Sequence, residues 1–276
     1  MKTVLITGSA SGIGKETALL FANKGWNTIA TVKNPDNSEE LTAIQNIHVY
    51  QMDVRDKQSI ESCINRVIQK FGKIDVIVNN AGIYTINPLE VTPDETIKNI
   101  INTNISGVIN VTKALLPHFR ENKAGIVINI SSIAGRATFP FQSVYHTSKW
   151  AIEGFSEGLY YELEPLNIKV KIVEPGVVKT NIYNSVMQLK LDDYPQEYHQ
   201  NFKNGHSSLM NNLKKGYEPI LDAQTIYKAV TDNKNKLRYT TDAQTRFALL
   251  LNSVLPLSIF RKIINKTSRI SLAQYK

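Results

Sequence analysis

The sequence predicts an α/β fold, a doubly wound parallel sheet in a single domain, and three observations carry that prediction. Over roughly the first 180 residues, short apolar runs alternate with longer helical patterns, the mark of successive βαβ units. The runs are rich in Val and Ile and nearly continuous, as strands covered on both faces require. A glycine-rich turn joins the first run to the first helical pattern.

Thr3–Thr7 reads as the first strand, and Gly14 to Lys24 as a helix whose Thr17, Ala18, Leu20 and Phe21 cluster for packing, with Gly25 as its stop. Asn27–Val32, Ile47–Met52, Ile74–Val78, Ile126–Ile130 and Lys169–Val173 supply further strands, with helical patterns between most of them. Crossovers between parallel strands are right-handed, so a ligand is expected in the crevice beyond the carboxyl ends of the strands. Past Thr180 the alternation fades into a polar segment rich in Tyr and Asn, residues 184–217, expected to be helical, mobile and able to serve as a lid. Lys236–Thr241 is expected as a last strand. Ala243–Leu255 and Leu257–Asn265 read as helices broken at Pro256, making residues 242–276 a C-terminal helical extension.

The chain has 276 residues, 42% hydrophobic and 20% charged, a composition that excludes a disordered, collagenous or fibrous protein. A single cysteine, Cys63, leaves no partner for an internal disulfide and too few ligands for a cysteine zinc site, so a reducing, cytoplasmic setting is expected. Residues Thr3–Ile6 run directly into Gly8, too short an apolar stretch for a secretory signal. Phe247 to Ile264 is interrupted by Asn252, Pro256, Arg261 and Lys262, so no transmembrane segment is expected, while contact with a membrane surface stays open. The net charge of +8 is concentrated late: residues 185–276 hold 14 Lys and Arg against 7 Asp and Glu. No helix-turn-helix, zinc-finger or RNA-binding signature accompanies it, and no nucleic-acid partner is expected.

Thr7-Gly8-Ser9-Ala10-Ser11-Gly12-Ile13-Gly14 lies between the first strand and the first helix, where free backbone N–H groups can receive a phosphate. Tyr145 and Lys149, four residues apart on a predicted helix, share a face. A phenol is a poor base at neutral pH, but a cation ~4 Å away at an effective dielectric of ~20 favours the phenolate by up to ~4 kcal/mol. That would let Tyr145 exchange a proton near neutrality.

With its Thr-Gly-x-x-x-Gly-x-Gly spacing, the chain resembles the classical short-chain dehydrogenases/reductases, a Rossmann-type family. Four further motifs fall in the family's order: Asp53-Val54 after the third strand, Asn79-Asn80-Ala81-Gly82 after the fourth, Tyr145-His146-Thr147-Ser148-Lys149 opening a helix, and Pro175-Gly176 after the sixth. The resemblance covers about residues 1–182. It implies an oxidoreductase transferring a hydride between nicotinamide C4 and a ketone or secondary alcohol. Tyr145 would exchange the oxygen's proton, and Lys149 would also bond the nicotinamide ribose. Ser132, spaced before Tyr145 as the family spaces its serine, would hold the substrate oxygen; Ser131, on the other strand face, is excluded. Asn104 resembles the helix asparagine that holds a water linking the lysine to solvent; the plainer reading is a polar residue that kinks its helix, which the family role also includes. Gly8, Gly12, Ile13 and Gly14 would cradle the pyrophosphate. Asp53 would accept from the adenine amino group, Asn80 would meet the adenosine side, and Val178 and Thr180 would hold the carboxamide, with Val54, Ala81, Gly82, Pro175 and Gly176 also in the cofactor site. The resemblance also implies a homodimer or homotetramer built from two long helices.

The second strand ends Thr31-Val32-Lys33-Asn34 without the acid that would bond a ribose 2′-OH. Lys33 suits a 2′-phosphate, with Ser9 or Ser11 able to donate to it, so NADP(H) is the expected cofactor and NAD(H) the other candidate. Ile182, Tyr183, Met187, Leu189, Leu191, Tyr194, Tyr198, Phe202, Leu209 and Met210 offer apolar cover for a pocket whose other side Phe139, Phe141 and Val144 would form. They equally fit plain packing on the sheet. A lipophilic small-molecule carbonyl or alcohol is expected, of steroid, retinoid or fatty-acyl type. The C-terminal helices could cap the pocket, form an interface or touch a membrane. Epimerases and dehydratases share the fold, and a non-catalytic NADP(H)-sensing binding protein is the alternative class. The presence of both Tyr145 and Lys149 argues against that alternative.

Overall fold

A computed structural model describes residues 1–187, 191 and 193–271. Leu189, among the apolar residues expected over the pocket, and residues 272–276 of the C-terminal extension lie outside the described residues. Seven strands form among them: β1 (Thr3–Thr7), β2 (Asn27–Val32), β3 (Ile47–Gln51), β4 (Val76–Asn79), β5 (Gly125–Ile130), β6 (Ile168–Glu174) and β7 (Arg238–Thr240). They join in one parallel sheet of order β3-β2-β1-β4-β5-β6-β7. Every residue of β1 is buried, which is why its apolar run is unbroken. The winding reverses between β1 and β4, and the crevice at that switch point opens beyond their carboxyl ends.

The helices are α1 (Gly12–Asn23), α2 (Glu39–Thr42), α3 (Lys57–Phe71), α4 (Asp94–Ile100), α5 (Gly107–Glu121), α6 (Ser143–Leu163), α7 (Gln196–Lys214), α8 (Ile220–Thr231), α9 (Ala243–Val254) and α10 (Leu257–Ser268). Two cores lie on the two faces of the sheet. Leu5, Ile29 and Ile77 pack with Ile60, Val111 and Leu159 of α3, α5 and α6, while Val4, Ile6 and Val78 pack with Phe21 and Ile226 of α1 and α8.

Boundaries shift where backbone bonding, rather than residue type, decides them. Helix α1 begins at Gly12, not Gly14, because extended Ser11 is its N-cap. Ile74 is buried but stands outside β4, its N–H donating to His118 Nε2 at 3.1 Å. In the segment read as a lid, a 3-10 turn at Asn181–Val186 precedes α7. Between α4 and α5 the chain widens into a π-helical turn at Ile101–Ser106.

Candidate active site

The loops following β1 through β6 converge on one cleft of about 770 Å³. Gly8, Ser11, Gly12 and Ile13 line its glycine-rich end. A Cβ on Gly8, whose φ is +69°, would stand 2.8 Å from Ala81 Cα, and one on Gly14 would strike the Gly8 carbonyl and the Asn80 side chain. Backbone therefore approaches where only glycine fits. Asn80 braces this loop, its Nδ2 donating to Thr7 O at 2.8 Å and Gly8 O at 3.0 Å, while Thr7 Oγ1 accepts from the N–H groups of Asn80 and Ala81. Ser9 does not reach the cleft: it is fully buried and donates to Ile6 O at 3.0 Å. Its expected share in a 2′-phosphate contact is withdrawn, since the turn that exposes Ser11 folds Ser9 inward.

Lys33, Asp53 and Val54 lie at the far end of the cleft, with Arg55, which the sequence reasoning passed over. Arg55 donates to Asp53 through Nε at 3.0 Å and Nη2 at 2.7 Å, and Lys33 Nζ stands 3.9 Å from the same carboxylate. The Arg55 guanidinium holds the Asp53 carboxyl below its ordinary range, with Lys33 adding to the effect. Among the charged residues lining this end, two cations face one anion, with Glu95 close enough to act on Arg55. The run Asp53-Val54-Arg55 was the available signal, since a basic residue two positions beyond an acid on an extended turn folds back onto it.

Ala81 and Gly82 line the middle of the cleft, and Pro175, Gly176, Val178 and Thr180 its other wall. The Gly176 turn is held from behind: its N–H donates to Tyr217 Oη, which donates to Asp222 at 3.0 Å, as Thr241 Oγ1 also does. Burial pushes the Asp222 carboxyl up to about 7 despite those two donors.

Ser132, Tyr145 and Lys149 meet on the cleft floor. Ser132 ends β5 in an extended conformation and caps the turn Ile133–Gly135, its Oγ accepting from Ala134 N at 3.1 Å. Ser131 also borders the cleft, but its hydroxyl lies against the opening that Gly135 leaves and beside Glu153, as strand alternation requires. Tyr145 and Lys149 occupy one face of α6. Lys149 Nζ donates to Ile130 O at 2.9 Å and stands 5.8 Å from the Tyr145 ring centroid. This corrects the expected electrostatics. Burial and neighbouring Tyr183 raise the Tyr145 phenol well above its ordinary range, and only the Ser132 hydroxyl draws it back. The lysine is tied to the end of β5 over the ring, and burial rather than the ammonium sets the direction in which the phenol is shifted. Burial lowers Lys149 itself to about 8, against the raising effect of Glu153 one turn on.

Asn104 lies behind the cleft at the π-helical turn. Its side chain is committed to the Ile83 backbone, accepting from N and donating to O at 2.9 Å each, and it donates to Ser148 Oγ at 3.0 Å. These bonds satisfy the backbone of the loop after β4 and fit the kinking role weighed for this residue. Three further side chains were not read from the sequence. Tyr84 stacks edge-on against Tyr145 and Tyr183 at 4.7 and 4.9 Å between centroids. Glu153, on α6, is buried and bonded by Arg238 Nε at 3.0 Å. His146 Nε2 accepts from Phe139 N and, with its proton then on Nδ1, the ring donates to Ala134 O, both at 2.8 Å. Only assembly of distant segments makes these contacts.

Beside the cleft, a groove of about 570 Å³ is bordered by Leu89, Phe139, Phe141, Trp150 and Tyr198; Val144 does not border it. Ile182, Tyr183, Leu191, Tyr194, Phe202 and Leu209 join Tyr84, Phe141 and Tyr145 in one apolar cluster over the cleft. Among the described residues there is no group of three His, Cys, Asp or Glu placed to hold a metal, and no helix long and apolar enough to cross a membrane.

A doubly wound sheet whose switch point pairs a glycine cradle with a serine, a tyrosine and a lysine defines an α/β oxidoreductase. The family model described as short chain dehydrogenase matches residues 2–190, and the chain belongs to that family. It is similar to the uncharacterized oxidoreductase YusZ of Bacillus subtilis, at 36% identity over 96% of this chain and 98% of that one. The 3-ketodihydrosphingosine reductase of Bacteroides thetaiotaomicron is 33% identical over 82% of each chain. Among solved structures, a short-chain dehydrogenase from Streptomyces avermitilis superposes with a TM-score of 0.82 at 30% identity, covering 96% of this chain and 98% of the other. ElxO with NADP bound gives 0.73 at 30% identity over 89% and 99%.

Proposed function

We propose that this protein is an NADP(H)-dependent oxidoreductase that interconverts a lipophilic ketone and the corresponding secondary alcohol. The observation carrying this reading is the convergence of Ser132, Tyr145 and Lys149 on the floor of the cleft that holds the glycine cradle. A nicotinamide cofactor fits the residues present: Gly8 and Gly14, where a Cβ would strike Ala81 and the Gly8 carbonyl, let the loop fold tightly onto the N-terminus of α1 at the cleft, where free N–H groups can receive a phosphate. When bound, it supplies or accepts the hydride at the substrate carbon.

The chain's own groups do the rest. Ser132 Oγ orients the substrate oxygen and the Tyr145 phenol passes it a proton in reduction or takes one in oxidation. The raised phenol favours the protonated form, suited to donating to a carbonyl oxygen as charge develops there. Lys149, held by Ile130 O, lends positive charge beside the ring and would bond the nicotinamide ribose. Asn104 would fix the helix turn that positions these groups, and the backbone of Pro175, Gly176, Val178 and Thr180 would hold the carboxamide.

NADP(H) preference is supported by Lys33 and Arg55 around Asp53, where a 2′-phosphate would meet two cations, with Ser11 near the loop. The lipophilic substrate class is supported by the aromatic cluster over Tyr145 and by the 3-ketodihydrosphingosine reductase among the relatives. Segment 184–217 is proposed as the cover of this pocket. Pairing of subunits through long helices is supported by Trp150 and Tyr161, both exposed on α6.

The test is a panel of ketones of graded chain length, followed by loss of reduced-nicotinamide absorbance. Tyr145→Phe should abolish turnover while dinucleotide affinity stays within about threefold. Turnover by the Phe variant at the wild-type rate would remove Tyr145 from the chemistry and overturn the reading.

A further inference from the structure

Helix α9 carries apolar side chains on both of its faces. Thr245 and Leu249 point inward, and Leu249 packs with Ala137, Phe260 and Ile264. Phe247, Leu250 and Val254 recur at i, i+3 and i+7 on the outer face and are 61%, 58% and 70% exposed. Helix α10 repeats the arrangement after the break at Pro256. Phe260, Ile264 and Ser268 face the body, while Ile259, Lys262, Ile263 and Lys266 form an outward stripe at i, i+3, i+4 and i+7. Leu257, between the two stripes, is also exposed. Six large apolar side chains exposed on adjoining helices form a patch of the kind soluble surfaces avoid unless it is used.

The charge around this patch identifies its occupant. Residues 243–276 contain six Lys and Arg and no Asp or Glu. Arg246, Arg261, Lys262, Lys266 and Arg269 are all exposed among or beside the apolar residues. Long basic side chains interleaved with an apolar stripe can lay their stems along it and extend their charges to an anionic layer. A second copy of the same patch, related by a two-fold axis, would bring cation onto cation, which disfavours self-association through this face. The patch also adjoins the site: Phe139 borders the groove beside the cleft and packs against the cluster under the hairpin.

We propose that the outward face of the α9–α10 hairpin docks on an anionic lipid surface, with Phe247, Leu250, Val254, Leu257, Ile259 and Ile263 entering the interface and the basic residues meeting the headgroups. The docking is independent of which substrate the cleft turns over. It would set the mouth of the groove at the level where lipophilic molecules partition.

The test is co-sedimentation of the full chain with vesicles of phosphatidylcholine alone and of equal parts phosphatidylcholine and phosphatidylglycerol, at low and raised ionic strength. The wild type should partition at least tenfold more onto the anionic vesicles, and raised salt should reduce this. Arg261→Glu with Lys262→Glu should lower binding to anionic vesicles more than tenfold, at about fivefold per cation removed. The combined change Phe247→Ser, Leu250→Ser and Val254→Ser should lower it at least tenfold with the melting temperature unchanged, since all three side chains are exposed. Equal, weak sedimentation with both vesicle types would overturn the proposal, as would wild-type binding by the triple variant. Light scattering that shows an oligomer dissociated by the triple variant would also overturn it, by assigning the face to a second copy.

Discussion

Lys149 Nζ lies 5.8 Å from the Tyr145 ring centroid and is anchored to Ile130 O at 2.9 Å, so the lysine is positioned by the end of β5 as much as by its own helix. Burial holds it to about 8, with Glu153 raising it from one turn away. The ammonium is present below that value and lost above it. Rate should therefore fall on the alkaline side with a midpoint near 8, and Glu153→Gln, by removing the carboxylate, should move that limb to lower pH. A pH profile of kcat/KM checks this, and an unmoved limb would exclude coupling between the two groups.

At the other end of the cleft, Lys33 and Arg55 flank Asp53. Replacing either by Ala should reduce kcat/KM with NADPH by ~10- to 100-fold, the worth of one charge-assisted contact, and leave NADH nearly untouched. Arg55→Ala also frees the Asp53 carboxylate, which would then repel a 2′-phosphate, so its effect should be the larger. Steady-state kinetics with both cofactors measure the ratio. Equal losses with the two would remove the phosphate contact.

His146 pins the loop between Ala134 and Phe139 through both ring nitrogens, and burial lowers its pKa below the ordinary value. The unfolded chain takes up a proton at this residue as pH falls through about 6.5, while the folded chain resists it. The stability held by the neutral ring is thus full above the unfolded value and is lost as pH falls through the folded one. His146→Gln should cost ~1–3 kcal/mol at neutral pH and flatten the decline of melting temperature between neutral and acid pH. An unchanged slope would place the acid sensitivity elsewhere.

Gly8 adopts φ +69° with Ala81 Cα where its Cβ would go. Gly8→Ala should cost ~1–2 kcal/mol in backbone strain alone, more with the clash, and should weaken dinucleotide binding. Thermal melts and a fluorescence titration with NADPH report the two losses separately. A variant as stable and as tightly binding as the wild type would show that the loop relaxes freely.

Strand runs, the glycine turn and the Tyr145–Lys149 spacing were legible in the sequence because each rests on local geometry: period, allowed φ and helical pitch. The resemblance singled out Ser132 over Ser131, and strand alternation turns the Ser131 hydroxyl away toward Gly135 and Glu153. It misplaced Ser9, whose hydroxyl turns in to Ile6 O, and passed over Arg55, whose partners depend on how the loop after β3 folds back. Tyr84, Glu153 and His146 act through residues from other segments, and no local pattern marks them.

The sequence alone determined that the chain forms a parallel sheet with a glycine turn at its switch point, because burial on both faces and glycine's freedom of φ are properties of short stretches. Tertiary structure alone decided the state of the site's protons. The charges on Tyr145, Lys149 and Asp222 follow from how far each is removed from water and which distant groups face it, and both are known only once the chain has closed around them.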